Sequence, residues 1–346
     1  MVKVLVVVSV AVAATLVGHV PRAAAATLEP TTTADVVDTA DGLLSLREAV
    51  RQADEAPGAD TIDLVAGATY TLDEPCGEIQ DGDGANLLDD LDHLGPDDLM
   101  VTGDGSTIRQ SIADPGCWQA RVLDMGAGTL TVVGVTITGG HVDDPCFGYS
   151  FIGTGPLLCT NALGPHRGQG GGIGAEGPVV LDHATVEGNA AGDTPGGGVW
   201  SASSVTAVDS TIEGNDAFWG GGLASSGPIT VDRSTVAANR AVGLPYVFAP
   251  FLFPAAGGGL WSDGAVTLRN STVTGNRVPG RIAVPPGSGR LQRVRGSGGG
   301  VWAGGHLDLT HVTVADNRAD RGANLFVEDE GLGSFGSAIG LGKRGA

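Results

Sequence analysis

The sequence predicts an all-β protein, a single right-handed parallel β-helix, and three observations predict it. Gly-Gly-Gly begins at 170, 196, 220, 257 and 298, each time followed by an apolar residue: Ile173, Val199, Leu223, Leu260 or Val301. Each unit then closes on an asparagine: Asn189, Asn215, Asn239, Asn276 or Asn317. Apolar rows recur at fixed distances before those asparagines: Val179, Val205, Ile229, Val266 and Leu307; then Leu181, Ala207, Val231, Leu268 and Leu309; then Val186, Ile212, Val236, Val273 and Val314. The first two rows are spaced as on a strand, and the change of phase before the third requires a bend. Units of about 24 residues cannot close a core alone, so they stack as coils about 4.8 Å apart.

Composition fits this reading. The 346 residues include 58 glycines without a Gly-X-Y period, which excludes collagen, and 42% are hydrophobic, enough for a core. Acids outnumber bases 39 to 19, which argues against a nucleic-acid partner. Between 27 and 120 the imbalance is steepest, with 21 acids against three bases.

Residues 1–26 read as a signal peptide: Lys3, an apolar run from Val4 to Val17, then Ala24, Ala25 and Ala26. The run is too short to span a bilayer comfortably. The expected mature chain is 27–346, secreted or at the cell surface, with no transmembrane segment. Four cysteines in an exported chain imply two disulfides. Cys76–Cys117 and Cys146–Cys159 are favoured among three connectivities because each pair lies within one segment.

An N-terminal cap and irregular first coils are expected over 27–127. Ser45-Leu46-Arg47-Glu48 is a capping box, and Leu46, Ala49, Val50 and Ala53 share one helical face. This helix would cover the open end of the solenoid. Strands follow at 61–65, 69–72, 99–101 and 121–123. The acidic run Asp81, Asp83, Asp89 is a weak Ca²⁺ candidate, since Ala85 interrupts the ligand spacing; a solvated loop is the plainer reading. No other cofactor is expected.

Regular repeats occupy 128–325. Residues 130–140 repeat the pattern without the asparagine. The asparagines are expected to take the left-handed backbone of a tight corner and to bond from coil to coil. Thr185, Thr211, Thr235, Thr272 and Thr313 form a further column. Insertions at 141–169, 243–256 and 281–297 all leave the same edge, and residues 326–346 form a C-terminal cap or tail.

The segment Asp41-Gly-Leu-Leu-Ser-Leu-Arg-Glu-Ala-Val50, with Gly58-Ala-Asp-Thr-Ile62 and Tyr70-Thr-Leu72, resembles the CSLREA domain of bacterial exported proteins, with Leu44 in place of its cysteine. The later units resemble polymorphic outer-membrane-protein repeats. Together these resemblances cover 33–325 and imply a right-handed β-helix on or outside the cell surface, without an established reaction.

Two groups of residues could carry function. Six before each asparagine, on an expected outward column, stand His183, Asp209, Arg233, Asn270 and His311. His183, Asp209 and Arg233 could perform acid–base chemistry on an acidic polysaccharide, or could simply be cross-strand polar pairs. Of the motifs of polygalacturonases, only Asp-Asp occurs. The second group lies near the insertions: Trp200, Trp261 and Trp302, with Tyr246, Phe251, Arg290, Arg293 and Arg295. Aromatic faces beside guanidinium groups suit an anionic glycan or a surface protein; the plainer reading is a satellite core. The expected function is therefore a non-catalytic extracellular binding or adhesion module. A polysaccharide lyase or hydrolase and a structural envelope or spore-coat component are the alternatives. The sequence leaves oligomeric state open.

Overall fold

The computed structural model describes residues 25–73, 90–111, 119–142, 169–242, 254–283, 292–328 and 335–336. The leader up to residue 24, all four cysteines, Asp81, Asp83, Asp89, Tyr246, Phe251 and Arg290 lie outside these residues.

The described chain is a parallel β-helix. On its longest face ten rungs stack in register: Thr27–Leu28, Asp60–Asp63, Leu99–Gln110, Leu130–Thr138, Val179–Asp182, Val205–Val208, Ile229–Asp232, Val266–Arg269, Leu307–Thr310 and Phe335–Gly336. Past the bend, Thr185–Glu187 pairs with Thr211–Glu213, then Thr235–Ala237, Thr272–Thr274 and Thr313–Ala315. The strands after the glycine triplets form an eight-stranded parallel sheet from Leu91–His93 to Leu325–Val327. The predicted inward rows are buried and belong to one continuous core. The threonine column is longer than predicted, running Thr69, Thr107, Thr136, Thr185, Thr211, Thr235, Thr272, Thr313.

The asparagines are buried and bonded from coil to coil, but they are not the left-handed residues. That conformation falls one position earlier, on Gly188, Gly214, Ala238, Gly275 and Asp316. The turn thereby aims each asparagine inward. Its Oδ1 accepts from the previous coil's asparagine, and its Nδ2 donates both to the next asparagine and to an earlier coil's carbonyl, as Asn239 does to Asn276 and Ile212.

The triplets close the ring. The first glycine of each is left-handed, as at Gly257 with φ 64°. The second sits where the coil's start meets its end: a Cβ on Gly221 would lie 2.5 Å from the carbonyl oxygens of both Arg240 and Gly258. No side chain fits there.

Helix α1, Leu46–Glu55, caps the N-terminal end as predicted, with Ser45 Oγ accepting from Glu48 N and Glu48 accepting from Ser45 N. Leu46, Ala49, Val50 and Ala53 face the core. Arg47 is buried too. Its guanidinium donates twice to Asp35, at 2.8 and 2.9 Å, and to the Asp90 carbonyl at 2.6 Å. Burial pushes its pKa down; the bonds and charge of Asp35, with Asp90 and Asp92, outweigh that and leave it raised.

Some boundaries differ from prediction. Arg121 precedes its strand, which is Leu123–Met125, and its buried side chain lies between Asp90 and Asp124. Leu99–Gln110 continues through a register shift instead of ending at 101. The third insertion contains a hairpin, Arg281–Ala283 against Gln292–Val294. The second has rejoined the solenoid by Ala256, which bridges Trp219 and Ser297.

Candidate functional site: a polar corner and an aromatic edge

The column His183, Asp209, Arg233, Asn270, His311 forms the bend itself, not part of a strand. All five residues are left-handed, with φ between 47° and 54°. A single such residue turns the chain between two strands, at about 1–2 kcal/mol for a residue with a Cβ. Main-chain bonds tie each corner to the next, as from Asp209 N to Asp232 O at 3.1 Å. Beneath them Ser210, Ser234 and Ser271 stack, each hydroxyl accepting from the previous coil's main chain.

The corner side chains point outward and pair with one another. Asp182 Oδ1 lies 2.6 Å from His183 Nδ1. Arg233 grips Asp209 through two bonds, 2.8 and 2.7 Å, and Asp232 through a third of 2.6 Å. Asn270 also donates to Asp232. The hydrogen bond from Arg233 holds the Asp209 carboxyl below the usual carboxylate range, against the opposing effect of burial and with help from the charges of Arg233 and His183. Asp209 in turn raises Arg233. Such a carboxylate is a poor proton donor near neutral pH.

Asp182, His183 and Asp209 are close enough to share a metal ion, as are Asp90, Asp92 and Asp124. A cation already serves each group. Arg233 takes both oxygens of Asp209, and buried Arg121 lies 3.1 Å from Asp90 and 3.2 Å from Asp124.

The aromatic residues gather on the other side of the triplets. The middle residue of each triplet strand points outward, and register places Gly174, Trp200, Ala224, Trp261, Trp302 and Phe326 in one column. Trp261 and Trp302 stack at 5.4 Å with planes 12° apart. Ala224 leaves a gap, and Trp219 fills it by stacking on Trp261 at 5.6 Å, also at 12°. Trp219 Nε1 donates to the Pro254 carbonyl at 2.9 Å, and Phe218 packs beside it. Trp261 therefore has both ring faces covered, while the ridge remains half-exposed. Trp200 is nearly buried, at 7% exposure. Arg293 is paired with Asp320, and Arg295 is exposed.

Sequence reasoning missed Trp219. The available signal was the alanine in the tryptophan column, a gap in an otherwise aromatic row. It also passed over the arginines that follow three of the asparagines: Arg240, Arg277 and Arg318. No helix among the described residues is long and apolar enough to cross a membrane. No family model, curated protein or solved structure matches this chain.

Proposed function

We propose that this protein is an exported, non-catalytic binding module whose ligand, a glycan or another macromolecule, lies along the aromatic edge. The observation that carries this reading is the stack of Trp219, Trp261 and Trp302, held half-exposed by the coil register. The partly exposed edges of the stacked indoles form a rigid apolar ridge, and tryptophan is enriched where binding energy concentrates. The polar corner supports the same reading from the other side, because Asp209, Asp232 and Arg233 are engaged with one another. Export rests on the leader at 1–26 and on the resemblance to CSLREA-domain proteins.

The test is size-exclusion chromatography of residues 27–346 mixed with neutral and anionic polysaccharides. Intact polymer co-eluting with protein supports the binding module. Polymer that elutes smaller replaces it with the enzyme reading, for which the Asp182–His183 pair beside Asp209 would be the first target. Free protein beside unchanged polymer across the panel removes the glycan readings and leaves a protein-binding or structural envelope role.

A further inference from the structure

The residue after each corner asparagine points out of the coil, because the asparagine before it points in. In three successive coils that residue is Arg240, Arg277 and Arg318. Their backbones bridge in parallel, Arg240 to Arg277 and Arg277 to Arg318. Main-chain bonds fix each step, from Arg277 N to Asn239 O at 2.9 Å and from Arg318 N to Asn276 O at 2.8 Å. The three side chains thus leave the solenoid once per coil, about every 4.8 Å. Under them Ala241, Ala255 and Val278 form a small second core, so the platform is packed.

All three arginines are exposed. Arg240 reaches Asp216 at 3.2 Å, but Arg277 and Arg318 have no ion pair among the described residues; exposed Arg321 stands in a separate column, bridged to Ser297. Like charges one coil apart repel. In sequence, 264–307 holds six arginines, Arg277 among them, and no acid, in a chain of net charge −20.

We propose that Arg240, Arg277 and Arg318 bind a linear acidic polysaccharide running along the solenoid axis, one carboxylate or sulfate per arginine. The proposal rests on the glycan-binding reading above and adds the ligand's charge and its contact residues. Guanidinium groups suit either anion, taking carboxylates through two parallel bonds. A DNA duplex fits less well, because the phosphates of each B-form strand rise about 3.4 Å per step, out of step with the coils; single-stranded DNA is therefore the competitor to test.

The experiment measures binding of polygalacturonate, its methyl-esterified neutral form, dextran sulfate and single-stranded DNA to residues 27–346 at low and moderate salt. Wild type is compared with the double variant Arg277→Gln, Arg318→Gln and with Trp261→Ala. Circular dichroism checks that each is folded. The expected result is salt-sensitive binding of polygalacturonate or dextran sulfate that weakens at least tenfold in the double variant; which of the two binds separates carboxylate from sulfate. Wild-type affinity in the folded double variant, or equal affinity for the esterified polymer, overturns the ladder and leaves the glycan-binding reading standing. Preference for DNA over every polysaccharide overturns the proposal in favour of a nucleic-acid ligand. Retention of no polymer by wild type overturns both.

Discussion

Asn215 Oδ1 receives two hydrogen bonds from Asn189, one coil earlier: the main-chain N–H at 2.9 Å and the side-chain Nδ2 at 3.1 Å. The same pair of bonds joins Asn215 to Asn239, Asn239 to Asn276, and Asn276 to Asn317. Asn239→Ala should therefore strand two donors of Asn215 and take one donor each from Ile212 O and Asn276 Oδ1, the latter keeping the main-chain N–H of residue 239. With part of that set regaining water, the expected loss is about 3 kcal/mol. Urea unfolding measures it, and a loss below about 1 kcal/mol would show that the ladder contributes little.

The glycines differ in what a methyl group would meet. At Gly258 a Cβ would lie 2.3 Å from the Gly299 carbonyl oxygen, whereas at left-handed Gly105 it would meet nothing within 4 Å. Gly105→Ala should cost about 1 kcal/mol of backbone strain. Gly258→Ala must spread the coils and should cost about 3 kcal/mol or more. Comparing thermal midpoints of the two variants checks the order.

Arg47→Met keeps the stem but leaves buried Asp35 without its cation. Breaking such a pair costs about 3–5 kcal/mol. The double variant Arg47→Met, Asp35→Leu should recover part of that loss. Hydrogen exchange on α1 reports the effect locally, and unchanged protection in Arg47→Met would contradict it.

The polar corner gives a pH prediction. The folded-state pKa of Asp209 lies below its unfolded value, so its favourable contribution is present above the unfolded carboxylate range and disappears as pH falls through the folded value. Arg233 is exposed and Asp209 only half-buried, so the effect on global stability should be slight. In Arg233→Gln the Asp209 carboxyl should titrate at higher pH, which carbon-detected NMR can follow. An unmoved titration would mean that the two groups do not hold each other in solution.

The tryptophan ridge has an optical consequence. Near-parallel indoles about 5.5 Å apart couple their transitions, and Trp261 is the shared member of both pairs. Trp261→Ala should abolish most of the resulting circular-dichroism couplet. Trp302→Ala should leave the part due to Trp219 and Trp261. Equal spectra for all three proteins would rule out the stack.

The inward rows were legible because Val179, Val205 and Ile229 are selected by one simple requirement, burial at a fixed phase. The corner was harder. His183 and Asp209 look like strand residues to a count of alternating positions, yet they are the bend, and nothing in their side chains announces a positive φ as glycine would. The asparagine's role was half legible: its burial and ladder followed from repetition, while the turn is made by the residue before it. Trp219 eluded the pattern because its own column holds no other aromatic residue, only Pro195, Ala256, Ser297 and Arg321, and stacking on Trp261 is a contact between different strands of adjacent coils. Arg277 and Arg318 were visible as Asn-Arg pairs, but only the bridging backbone shows that they stand directly above Arg240.

The ladder bonds have one further consequence. Every amide points the same way, and the step from Asn215 to Asn239 is the same as the step from Asn239 to Asn276, although 24 residues separate the first pair and 37 the second. The ladder therefore reads coils and ignores residues. Excising 216–239 would join Asn215 to Arg240 and let Asn215 face Asn276 with the same geometry; duplicating that segment would add one storey of the same height. The molecule's length can thus change in whole storeys, each self-registering, while an insertion that leaves at the edge changes what the protein displays without changing how tall it is.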